Sequence, residues 1–157
     1  MKKFISLPYI FVMVLSLMLV GCQGGETIKI GTLLDKTGDL GSYGPPMEVG
    51  ADLAIKLLQD AGMDIVKVPG DSGTANQKSI AEATRLIDIE GVDAIVGSLS
   101  SGVTMATAIA VTIPKNIPLM SPASTSPAIT VMADNDTVFR STVSDAAQGV
   151  VLAQFAW

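Results

Sequence analysis

Four short stretches concentrate the hydroxyl groups of this chain: "DKTGDLGSY" (35–43), "GSLSSG" (97–102), "SPASTSP" (121–127) and "STVSD" (141–145). A hydroxyl both donates and accepts hydrogen bonds, so such clusters suit the non-covalent capture of a small polar molecule. Ser101, Ser124 and Thr125 are candidates for holding a carboxylate, and Asp145 offers a fixed negative charge to an ammonium group. Tyr43 stands in a turn rich in small residues, where an aromatic ring adds little to a core and can wall a ligand. A structural alternative attends each of them. Ser101, Ser126 and Asp145 sit where helix caps belong, and a capped helix start can also receive an anion.

Covalent chemistry is poorly served. The chain has no histidine, which removes the commonest general base and metal ligand. Cys22 is the only cysteine, so no Cys/His zinc site can be assembled. "GSLSSG" lies between a strand and a helix, as a phosphate loop would, yet it has neither G-x-G-x-x-G nor a P-loop lysine. G-x-S-x-G is missing too, and nothing is present to activate a serine. Asp35, Asp39 and Asp71 match no calcium-loop spacing and read as turn and capping residues. The composition therefore argues for a binding protein without metal or cofactor, and against an enzyme.

The hydroxyl-rich stretches all follow predicted strands. "TIKIGTLL" (27–34), "MDIVKV" (63–68), "VDAIVGS" (92–98), "IPLMS" (117–121) and "TVFRST" (137–142) have strand character. Helices are expected between them. One starts near Pro45-Pro46 with Ala51, Ala54, Ile55 and Leu58 as a buried stripe, and ends at Gly62. A second carries Ile80, Ala83, Thr84 and Ile87, with Thr74 and Gln77 at capping-box spacing. A third covers 100–113, a short one follows Ser126-Pro127, and a last one starts at Ser144 or Asp145 and runs to Trp157. Strand–helix alternation at this spacing predicts an α/β fold, a Rossmann-like parallel sheet flanked by helices. In such sheets ligands lie off the carboxyl ends of the strands, where the four stretches fall.

The N-terminus reads as a leader: Lys2-Lys3, then the uncharged apolar "FISLPYIFVMVLSLMLV", then Gly21-Cys22. An anchor helix left in place is the alternative. "LVGC" resembles a lipobox, which implies a signal peptide over 1–21, a lipidated Cys22 with a linker through residue 26, and a domain over 27–157 outside the cytoplasm. Lys2 and Lys3 leave with such a leader, taking the net charge from −5 to −7. That acidic balance and the lack of a basic run speak against nucleic acid.

Taken together, "IKIGTLLDKTGDLGSYGPPMEVGADLAI", "VDAIVGSLSSGVTMA", "PLMSPASTSPAIT" and "VFRSTVSDAAQG" resemble the first lobe of type I periplasmic binding proteins, in the branch of branched-chain amino acid receptors of ABC importers. The resemblance implies two lobes that close on an amino acid-like ligand and a closed state recognised by permease subunits. It implies that Ser101 and Thr125 hold the ligand's carboxylate and that Ser124 belongs to the same binding loop. The carbonyl of Ala123 would meet the ammonium with help from Asp145, and Tyr43 would pack over the ligand. Two departures stand out: "AGMDIVKVPGD" is short for the family and lacks its Gly-Gly, and the second lobe is missing, so the chain is expected to be truncated. A sensor of the same fold for an amide or urea-like solute is the second reading, and a fragment without function a further one.

Overall fold

In the computed structural model, which describes residues 26–157, Ile28–Leu34 form β1 and its last four residues are buried. The expected signal peptide over 1–21 and the expected lipidation site Cys22 lie outside the described residues. β1 leads into helix α1 (Gly44–Asp60), then β2 (Ile65–Asp71), α2 (Asn76–Asp88) and β3 (Ala94–Gly97). Helix α3 (Ser101–Thr107) passes through a wide π-helical turn (Ala108–Thr112) into the short α4 (Ile113–Lys115). Strand β4 (Leu119–Ser121), a 3-10 turn (Pro127–Val131), β5 (Val138–Arg140) and α5 (Asp145–Ala156) complete the order. All pairings are parallel, and the five strands lie in the order β2-β1-β3-β4-β5. The expected α/β sheet is therefore present, with β1 in its interior.

Register explains which side holds the core. Ile95 pairs with Leu119 and Leu119 with Val138, so these three share one face. With Leu33 they form a buried cluster beneath Ala83 and Leu86 of α2 and Ala108 and Val111 of the π turn. The opposite row runs Thr32, Val96, Met120, Phe139. Met120 and Phe139 remain 44% and 46% exposed there. Among the described residues α1 covers this side, and it does so loosely. Ile30, Leu34 and Val96 face Met47, Ala51, Ala54, Ile55 and Leu58 across an apolar cavity of 530 Å³. The stripe expected on α1 thus faces the sheet without being buried, because its small residues, Gly50, Ala51 and Ala54, do not reach across the gap.

Three other expectations need correction. β2 does not stop at Val68; it continues through Pro69, Gly70 and Asp71. Proline is tolerated there because β2 is an edge strand, with no neighbour on its outer side to miss the N–H. Thr74 and Gln77 make no capping box: Ala75 precedes α2, and Thr74 adopts φ 54° with its hydroxyl turned to the N–H of Leu40. The buried line on α2 runs through Ser79, Ala83 and Leu86. Ser126 and Ser144 do cap their helices, each accepting from the N–H two residues on.

Candidate functional site

The loops after β1, β2, β3 and β4 meet at the carboxyl edge of the sheet, and side chains tie them together. Asp71, the last residue of β2, reaches the loop after β1: it accepts from the N–H groups of Lys36 and Thr37 and from the Thr37 hydroxyl. Gly73 N–H and the Lys78 ammonium complete its shell, the latter at 2.5 Å. Leu40 N–H donates to Thr74 at 3.0 Å. This fixes the segment that carries Leu40 and Tyr43 against the β2–α2 turn.

Burial works against the Asp71 charge, but Lys78, the Thr37 hydroxyl and the two backbone amides outweigh it and hold its carboxyl far below the usual carboxylate range. A carboxyl depressed on folding contributes stability above its unfolded pKa and loses that contribution as pH falls towards the folded value. Stability should therefore fall on acidification below about pH 4. In Asp71→Asn the acid limb of a chemical-denaturation series should be shallower; an unchanged limb would assign the acid sensitivity elsewhere.

A second set of bonds joins β3 to β4. Ser121 donates its one proton to the carbonyl of Ser98 at 2.5 Å, and its oxygen lies 2.7 Å from that of Ser124. Ser124 donates to the carbonyl of Leu99 at 3.1 Å and lies 2.9 Å from the hydroxyl of Thr104. Thr104 in turn reaches the Ser98 carbonyl, while Ser79 links the Ser98 and Thr107 hydroxyls. All six of these side chains, Ser79, Ser98, Thr104, Thr107, Ser121 and Ser124, have no exposed surface. Full mutual satisfaction is what lets so many hydroxyls sit inside a domain.

Ser124 therefore departs from its expected place. Its hydroxyl points into the molecule and is consumed by Leu99, Thr104 and Ser121, so it shapes the binding loop without lining it. The other expected residues stand at the open side. Tyr43 and Ala123 line one cavity of 240 Å³ with Leu40, Met47 and Leu99. Tyr43 is 59% exposed, as a ring awaiting a partner surface would be. The Ser101 hydroxyl accepts from the N–H of Ser126 at 3.2 Å, which draws the start of α3 to the loop after β4. Thr125 donates its hydroxyl to Asp145 at 3.0 Å, and Asp145 N–H returns a bond to the Thr125 carbonyl at 2.9 Å. The capping alternative fits neither Ser101 nor Asp145: Ser100 and Ser144 occupy the cap positions of α3 and α5, and Ser100 makes no side-chain cap bond.

The arrangement is an apolar recess whose lining residues Leu99 and Ala123 each lie two residues along the chain from a hydroxyl, Ser101 and Thr125, with no base–nucleophile pair among these residues. Reasoning from sequence missed Leu40 and Leu99, in loops, and Met47, in the first turn of α1, as lining residues, since apolar side chains read as core. It also placed Asp35 in a turn, whereas that residue is buried completely.

A family model described as a periplasmic binding protein matches residues 27–157. The chain belongs to that family. The Leu/Ile/Val-binding protein homolog 7 of Brucella abortus is 39% identical over 79 residues, which make up 48% of this chain and 20% of that protein. Among solved structures, the branched-chain amino acid transporter substrate binding protein LivJ of Streptococcus pneumoniae, in complex with isoleucine, is 30% identical. It superposes with a TM-score of 0.70 over 77% of this chain and 35% of its own. The leucine binding protein LivK of Thermotoga maritima gives 28% identity and a TM-score of 0.69, over 82% of this chain and 36% of that one. This periplasmic binding protein chain thus spans about a third of the length of these solved relatives.

Proposed function

We propose that this chain forms the first lobe of an extracytoplasmic solute-binding lipoprotein of an ABC importer, anchored at Cys22 and taking an amino acid with an apolar side chain. The observation that carries the reading is the 240 Å³ recess of Leu40, Tyr43, Met47, Leu99 and Ala123, two of whose lining residues, Leu99 and Ala123, precede Ser101 and Thr125 by two positions. An aliphatic side chain suits the recess. Its α-carboxylate suits the hydroxyls, and its ammonium suits the Ala123 carbonyl and Asp145. Two of the solved relatives support the same class: LivJ is bound to isoleucine and LivK is a leucine binding protein.

One lobe offers only part of a trap, so affinity near the millimolar range, about −4 kcal/mol, is expected. Titrating L-leucine into the protein should shift the backbone amide resonances of Leu99, Ala123 and Thr125 first. Glutamate should leave them still. If urea or acetamide moves these amides and leucine does not, the sensor reading replaces this one.

Thr125→Val tests the hydroxyl directly. It should weaken leucine binding by about 1–3 kcal/mol, by removing a bond to a charged group and leaving the carboxylate unpaired. Unchanged affinity in the same titration would remove Thr125 from the site.

A further inference from the structure

Asp35 is the last residue of the β1 end to be buried, and its side chain has no exposed surface. Its Oδ1 accepts from the hydroxyl of Ser72, just past β2, and from the N–H of Leu99, just past β3, the latter at 3.2 Å. Its Oδ2 is buried with no hydrogen-bond partner among the described residues. For stability alone this is a poor arrangement, because a carboxyl oxygen taken from water without a partner costs free energy. What it accomplishes is geometric. Leu99 is held at both of its backbone polar groups by side chains from other loops: Asp35 on its N–H and Ser124 on its carbonyl. The preceding carbonyl, that of Ser98, is held by Ser121 and Thr104. Leu99 is also a wall of the recess, two residues before Ser101.

We propose that Asp35 is a positioning residue of the cleft. It never touches the ligand; it clamps the peptide of Leu99 so that this side chain faces the recess and Ser101 meets the loop after β4. The inference rests on the binding reading above and deepens it by naming what sets the wall that an apolar side chain would meet.

The experiment uses the whole chain, labelled for NMR, in three forms: wild type, Asp35→Asn and Asp35→Ala. In the wild type, a coupling carried through the hydrogen bond should connect the Leu99 amide nitrogen with the Asp35 carboxyl carbon; its absence overturns the clamp before any variant is made. Asp35→Asn keeps an acceptor oxygen and should retain most of the protection of the Leu99 amide against hydrogen exchange. Asp35→Ala should accelerate exchange at Leu99 by roughly tenfold or more while Ile95 and Leu119, in the strand ladder, stay protected. It should also reduce the preference for leucine over alanine, because only the longer side chain reaches the Leu99 wall. A merely structural role would leave that preference in place and loosen the ladder as well. Should Asp35→Ala fail to fold, the wild-type coupling and the Asp35→Asn protection decide. The two ideas separate cleanly. If leucine does not move any amide of the wild type, the binding reading fails; if leucine binds and Asp35→Ala keeps both Leu99 protection and leucine preference, the positioning role fails.

Discussion

Gly97→Ala should destabilise the fold by about 2–5 kcal/mol, the combined scale of backbone strain and overpacking. Gly97 ends β3 with φ +138°, a conformation that a side chain strongly disfavours. A Cβ placed there would lie 2.1 Å from the carbonyl oxygen of Leu33, a backbone atom held in the ladder. Nothing flexible can yield, so β1 and β3 would have to part at the carboxyl edge. The damage should not stay local. Leu99 and Ser98 follow directly, and their carbonyls anchor Ser121, Ser124 and Thr104. Urea unfolding should show a lower midpoint, and amides of the loop after β4 should exchange faster. A midpoint equal to that of the wild type would mean that the close approach at Gly97 is not maintained in solution.

Leu86→Ala should cost a similar 2–5 kcal/mol, by a different route. Leu86 is fully buried on α2. Its Cδ1 lies 3.2 Å from where a Cβ would stand at Gly31 and 3.2 Å from the same point at Gly70. Two neighbouring strands thus keep a groove open with glycines, and the leucine fills it. Truncation would leave a cavity walled by backbone, which cannot collapse as side chains can. A cost at the upper end of the range is therefore expected, read as a drop in denaturation midpoint with the slope unchanged. A drop below about 1 kcal/mol would show that the sheet closes over the gap.

The legible and illegible parts of this chain divide along physical lines. Element order could be read because apolar runs and capping residues act locally: Ser126 and Ser144 lie where their helices start. The end of β2 could not. Pro69 and Gly70 look like breakers in one dimension, and only the strand order shows that β2 sits on an edge where they are harmless. The site was legible in composition and partly illegible in direction. Tyr43 and Ala123 share a recess, and Thr125 meets Asp145, a pairing that the sequence reading did not contain. Ser124 faces inward instead, because whether a hydroxyl lines a cleft or braces it depends on partners 20 and 25 residues away. Asp35 was misread for the same reason, its partners lying 37 and 64 residues along the chain.

The interior position of β1 has a consequence in time. β1 is made first, yet its two neighbours in the sheet are β2 and β3, and the bond from Lys29 to Asp93 spans 64 residues. At a synthesis rate of 5–20 residues per second, the strand waits roughly 3–13 s for its second neighbour to exist. Throughout that interval "IKIGTLL" has at least one open edge and an unshielded apolar face. A nascent chain of this design depends on being kept from other strands until β3 emerges, and release before that point leaves its most aggregation-prone segment uncovered.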